Sequence, residues 1–406
     1  MKHSAIVPLI GGELFGTMLA IQNYSKVTYP LKASFDEECF PEEILSFSPF
    51  AKNEEHLIKY LRNNNWDGNY VFLDNVKDHT TKDVDMVSAV CPCAGLSSLS
   101  PTSSSNSQMN DWMYQTAEYV LNVVRPQVFW GENAPALATK KGKPVADKLF
   151  EIGEREGYTL TLVKTKNSQH GIPQKRHRTF YIFTKEKNNA PNFHWTVKDQ
   201  VDSKEVLSLP RYKESDPMQR TVLGNDLYQD ELFLTALEIT NTKNAKELSE
   251  HFPESLSVCK FIVENITDAQ LKNLSHPKAK KRITQAKKKL KAGKNYWAHS
   301  VTMLKGILPG VVANIPTEGI NYFHDDFITV RESLRLMGMP DDFNLVTDPK
   351  NSINHVCQNV PVFTARDICS QILKYLDGNI EMNDISGIQT IEIRPESSTK
   401  LDSFFG

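Results

Sequence analysis

Four side chains stand where short apolar runs end or begin, and their types could do chemistry together. Cys93 follows Pro92 directly after VDMVSAV, which places a thiol on the loop leaving a β-type run. A thiolate in such a position is a nucleophile. Glu132 lies at the end of PQVFWGEN, and Arg176 and Arg178 in GIPQKRHRTFYIF stand just before another run. Taken singly, these are ordinary residues: free cysteine is among the most buried types, and a charge at a strand end is usually solvated. A thiol, a carboxylate and an arginine pair at neighbouring strand ends form a constellation. A metal is not expected, since CPC at 91–93 has no second Cys or His pair beside it.

The elements that must position these residues alternate. From residue 1 to about 185, β-type runs (SAIVPLI, TYPLKASF, NYVFLD, VDMVSAV, PQVFWGEN, YTLTLVKT, RTFYIFTK) are interleaved with helical ones (GELFGTMLAIQ, EEHLIKYLRNN, MYQTAEYVLNVV, VADKLFEIGEREG). Such alternation implies an α/β fold with a doubly wound, mostly parallel sheet. Ligands then bind in the loops at the carboxyl ends of the strands. Those loops are IGG after the first strand, LDN near 74, CPCAGLSSLS after 90 and GENAP after 130. From 186 to 320 the rhythm is lost, which reads as a second, smaller mixed domain. Residues 321–378 return as ordered helical patterns, and 379–406 form a mostly polar tail.

With 406 residues, 40% of them hydrophobic and 24% charged, the chain reads as a folded protein of two or three domains. Its six scattered cysteines are too few for a disulfide scaffold, and Glu13 interrupts the apolar start before it can imitate a signal. A cytoplasmic monomer with no membrane segment is expected, in a prokaryotic or an infected host cell.

The chain resembles the cytosine-C5 DNA methyltransferases. The resemblance rests on LIGG (9–12), LDN (73–75), CPCAGLS (91–97), GENAPAL (131–137), HGIPQKRHRTFYIF (170–183), ITVRESLRLMGMPDDF (328–343) and QNVPVFTARDI (358–368), all in family order. It implies a class I, Rossmann-like methyltransferase domain and a target-recognition domain between the QKRHR and TVRESLRLMGMPDDF blocks. It also implies S-adenosylmethionine as cofactor and duplex DNA as substrate. Cys93 would then be the nucleophile. Glu132 would bind the N3 and amine edge of cytosine, and Arg178, with Arg176 nearby, would contact O2. The base must be flipped from the duplex to reach such a pocket, and Ser97, in the serine-rich run after Cys93, would lie on a loop that closes over it. By the same resemblance the cofactor lies against Ile10, Gly11, Gly12 and Pro92. Glu37, or Asp36, would bind the ribose, Asp74 the adenine amine, and Asn359 would approach from the returning helix. The chain departs from the family at Leu9, where glycine is usual, and at Gln358–Asn359, where a GN pair is usual.

The formal net charge of −2 averages two unlike parts. Residues 269–317 hold eleven Lys or Arg and no acid, leaving 36 basic against 49 acidic residues elsewhere. HPKAKKRITQAKKKLKAGKNYW predicts a helix from Pro277 to Gly293 with lysines on most faces. Lys280, Lys281, Arg282, Lys287, Lys288 and Lys289 are its candidate phosphate contacts. The terminal STKLDSFFG, through Leu401, Phe404 and Phe405, resembles sliding-clamp-binding peptides. Two rivals remain, a tRNA cytosine-C5 methyltransferase and a catalytically silent DNA-binding homologue.

Overall fold

The structure, a computed structural model, describes residues 1–47, 51–72, 83–91, 95–96, 104, 107–186, 189–195, 197–294, 301–310, 315–384 and 389–392. The first half runs β1 (His3–Ile6), α1 (Gly12–Ile21), β2 (Glu43–Ser46), α2 (Ala51–Asn63), β3 (Asn69–Phe72), β4 (Met86–Ala89), α3 (Asp111–Tyr119), β5 (Val128–Asn133), α4 (Lys143–Glu156), β6 (Thr159–Lys166) and β7 (His177–Thr184). Local sequence accounts for these elements. In α4, Val145, Ala146, Leu149, Ile152 and Gly153 form one buried stripe, and Gly157 stops the helix at φ +83°, a conformation glycine adopts freely. Strand β5 is buried over its whole length, as a central strand covered on both faces must be.

The second half runs β8 (Asn189–Pro191), α5 (Lys204–Leu207), α6 (Glu231–Thr240), α7 (Ala245–Ser249), β9 (Leu256–Ser257), α8 (Val258–Asn265), α9 (Asp268–Asn273), α10 (Pro277–Lys291), β10 (Thr302–Met303), α11 (Ile315–Glu318), β11 (Gly319–Asn321) and β12 (Asp326–Phe327). It ends with α12 (Val330–Leu336), α13 (Pro349–Gln358), α14 (Val362–Leu376), β13 (Met382–Asp384) and β14 (Gln389–Glu392). Among the described residues the main sheet has eight strands in the order β14-β6-β7-β5-β4-β1-β2-β3. Strands β3, β2, β1, β4 and β5 are mutually parallel, and β7 runs antiparallel between β5 and β6.

Two apolar clusters pack against this sheet, and α14 closes it by lying along α1. Gly16 makes that approach possible, because a Cβ there would sit 2.5 Å from Ala365 Cβ. A third cluster, from Leu227 to Phe327, forms the core of a smaller unit around the sheet β12-β11-β10-β9. Residues 186–222 were expected in that unit, yet Phe193 and Trp195 join the first cluster, and Val206, Leu207, Met218 and Val222 the second. Helix α12 bridges the units. Its Glu332 accepts from Arg211 and Asn321, and its Arg331 pairs with Asp216. No helix among the described residues is long and apolar enough to cross a membrane.

One expected strand is misplaced. TYPLKASF makes only an isolated bridge, Leu31 to Pro340, and the place beside β1 is taken by Glu43–Ser46. Strand β2 holds that place because it pairs on both sides, with β1 and with β3.

Candidate active site

Strand order reverses between β1 and β4, and a doubly wound sheet opens its ligand crevice at that point. The chain leaves β1 through a tight turn in which Val7, Leu9 and Gly11 all have positive φ (51°, 55° and 96°). That conformation costs a non-glycine residue roughly 1 kcal/mol or more, so Leu9, standing where glycine was the expectation, holds a strained backbone. Gly11 is the N-cap of α1, and Gly12 opens the helix. A Cβ at Gly12 would lie 1.9 Å from Val360 O, so only bare backbone fits there. The Gly12 N–H is not left open: it donates to Asn359 Oδ1 at 2.8 Å. Ile10 is fully buried in the second cluster, so only its backbone belongs to the turn.

Asp36 and Glu37 do not reach this crevice. They precede β2, Cys39 O meets His3 at the start of β1, and Gln22 at the end of α1 donates to Asp36 Oδ2. All of this lies at the amino edge of the sheet, opposite the glycine turn, because the strand that was to carry these acids to the carboxyl edge does not form.

Glu132 and Arg178 do come together. Glu132 ends β5 with 3% of its side chain exposed, and its Oε1 pairs with Arg178 Nε at the start of antiparallel β7. Arg178 Nη1 also donates to His177 O. Beside Glu132, the buried Asn133 Nδ2 has no hydrogen-bond partner among the described residues. Arg176 turns elsewhere: its Nη1 donates to Cys357 O at 2.8 Å and Asn359 O at 3.2 Å. Cys93, Pro92, Ser97 and Asp74 lie outside the described residues, as do Leu401, Phe404 and Phe405. Val90 and Cys91, which lead from β4 toward Cys93, are described and buried. Burial pushes the Cys91 thiol up to about 11, so it stays protonated at neutral pH.

Several contacts around these residues were not anticipated. His170 Nδ1 pairs with Asp367 Oδ2 at 2.9 Å and its Nε2 meets Thr165 Oγ1, the cross-strand neighbour of Arg178. Gln174 Nε2 donates to Leu336 O. The segment 170–178 thus reaches α14, α12, α13 and β5 through His170, Gln174, Arg176 and Arg178. Glu13, on the first turn of α1, is fully buried with Thr17 Oγ1 at 3.3 Å, and burial raises its carboxyl to about 7.

Helix α10 is amphipathic, with Ala279, Ile283 and Ala286 buried at spacings of four and three. That face turns two lysines inward. Lys287 pairs with Asp268 at 3.2 Å and donates to Ile266 O, and Lys280 donates to Lys272 O. Lys278, Lys281, Arg282, Lys288 and Lys289 are exposed. At the helix start, Glu231 of α6 accepts from the N–H groups of Lys278 and Ala279.

Strands in the order β3-β2-β1-β4-β5-β7-β6, with β7 inverted, define a class I, Rossmann-like methyltransferase fold. Residues 44–374 match the C-5 cytosine-specific DNA methylase family, and the chain belongs to it. It is therefore a DNA cytosine-C5 methyltransferase. The type II methyltransferase M.Bpa9945I of Bacillus paralicheniformis is 23% identical over 325 residues, covering 73% of this chain and 72% of that protein. A solved structure of a prophage-encoded DNA modification methyltransferase from E. coli is similar in fold, with TM-score 0.50 and 18% identity over 93% of this chain and 99% of that one. The methyltransferase EhMeth of Entamoeba histolytica aligns with TM-score 0.47 and 12% identity over 93% and 98%.

Proposed function

We propose that the protein methylates carbon 5 of a flipped cytosine in duplex DNA through a covalent bond from Cys93 to carbon 6. Carbon 5 is too weak a nucleophile to be methylated directly. Addition of the Cys93 thiolate at carbon 6 makes a single sulfur–carbon bond and shifts the displaced electron pair onto carbon 5. Glu132 holds the N3 and amine edge and assists protonation of N3, while Arg178 steadies O2. S-adenosylmethionine supplies an electrophilic methyl group when bound. Once carbon 5 carries the methyl group, loss of its proton to a base re-forms the carbon 5–carbon 6 double bond and expels the Cys93 thiolate.

The observation that carries this reading is the buried pairing of Glu132 with Arg178 at the carboxyl edge, one strand from the β4 end that leads to Cys93. Cys91, the other thiol on this stretch, is buried, and burial pushes it up to about 11. The cofactor would lie against the glycine turn, at the switch point of the sheet, where bare glycines let the chain pack closely. We assign Gly11 and Gly12, with Pro92 and Asp74, to hold it. Duplex phosphates would meet the outward face of α10 through Lys281, Arg282, Lys288 and Lys289. The terminal Leu401, Phe404 and Phe405 would engage a sliding clamp. A pull-down with and without the last nine residues tests that contact.

The direct test uses tritiated S-adenosylmethionine with duplex DNA and tRNA, and Cys93→Ala as control. Transfer to DNA that disappears in the control is expected. Transfer only to tRNA, or none at all, overturns the reading.

A further inference from the structure

We propose that Arg176 is a positioning residue that ties the cofactor turn to the base pocket, so that of the arginine pair only Arg178 serves the base. The inference rests on the reading above, in which S-adenosylmethionine lies against Gly11–Gly12. Three links carry it. The Gly12 N–H donates to Asn359 Oδ1 at 2.8 Å. Arg176 Nη1 donates to the backbone carbonyls of Cys357 and of the same Asn359. The backbone carbonyl of Arg176 accepts from Asn167 N at 2.9 Å, and two residues on, Arg178 meets Glu132.

The chemistry explains why an arginine stands there. The last carbonyls of a helix have no partner within it, and they form the negative end of its dipole. Cys357 and Asn359 are such carbonyls at the end of α13, and they lie in a buried setting. A guanidinium presents its donors in a fixed fork and can satisfy two oxygens at once. Arg176 is itself 6% exposed, so its charge needs polar partners, and these carbonyls are two of them. Shifting residues 357–360 would therefore disturb two things together, the start of α1 and the segment that carries Arg178.

The test measures S-adenosylmethionine binding by calorimetry in the full chain, apart from catalysis. Arg176→Met and Asn359→Ala are each expected to raise Kd about tenfold or more, and the double variant is expected to be no worse than the weaker-binding single one. Arg178→Met should bind S-adenosylmethionine as the wild type does. Arg176→Lys keeps the charge and one bond, so its Kd should fall between wild type and Arg176→Met. It also serves if the Met variant does not fold. Wild-type affinity in both Arg176 variants overturns the proposal, as do effects that simply add in the double variant. A wild type that binds no S-adenosylmethionine overturns the functional reading as well.

Discussion

The charges at the carboxyl edge of the main sheet and those on α10 are held in opposite ways. Glu132 and Arg178 are almost out of solvent and bound to one another, while Arg176 is locked onto two carbonyls. On α10 most cations are exposed, while Lys280 and Lys287 bond to neighbouring elements and anchor the helix. Buried charges define geometry, because a displaced partner would leave an uncompensated ion. Exposed charges set a field that any phosphate can feel and salt can screen. One region should therefore respond to single-atom changes, the other to charge number and ionic strength.

The largest expected effect is at Glu132. Glu132→Gln should lower kcat by about 10²–10⁴ while leaving DNA affinity and its salt dependence unchanged. An equal fall in DNA affinity would erase the contrast between the regions.

Glu13 gives the pH response. Its carboxyl in the folded protein sits near 7, above its ordinary 4.5, so the folded state keeps the proton where the unfolded state has released it. Stability then falls as pH rises from about 4.5 to 7 and levels beyond. Glu13→Gln should remove that decline, gaining roughly 2–4 kcal/mol on the wild type between pH 5 and pH 8 in denaturant melts. Parallel pH profiles for the two proteins would contradict the buried carboxyl.

The salt response belongs to the outward face of α10. Lys281, Lys288 and Lys289 changed to Ala should weaken binding to every duplex about 10- to 100-fold at low salt. The slope of log K against log salt should shrink by about 0.9 for each phosphate that is no longer neutralised. The smallest effect separates the two kinds of lysine on one helix. Lys287→Ala should leave the salt slope unchanged and lower Tm slightly, because its partner is Asp268. A slope change as large as that from Lys288→Ala would place Lys287 on the DNA.

Much of this was legible in the sequence. The alternation of apolar runs implied the parallel sheet, and the motif order placed Glu132 and Arg178 at neighbouring strand ends. What failed had physical causes. TYPLKASF looks like a strand locally, but pairing on both sides is a tertiary property, and only EILS at 43–46 obtains it. With the strand displaced, the acids expected at the ribose stand at the opposite edge. Arg176 lies one residue before β7 begins, so no strand pleat dictates its direction, and the carbonyls it binds come from 181 and 183 residues further along. Helix α13 is faint in the sequence because its stripe of Ser352, Ile353, Val356 and Cys357 is weakly apolar, although Asp348 and Pro349 mark its start. On α10 the lysines mask a readable apolar face, Ala279, Ile283 and Ala286, and that face is what separates Lys287 from Lys288.

The proposed covalent methyl transfer through Cys93 can be trapped directly. Duplex DNA carrying 5-fluorocytosine blocks the last step, since fluorine cannot leave carbon 5 as a proton does. With S-adenosylmethionine present, the wild type should form a denaturant-resistant adduct whose peptide mass maps to Cys93, and Cys93→Ala should form none. An adduct mapped to Cys91, or full transfer to ordinary DNA by Cys93→Ala, would contradict the account.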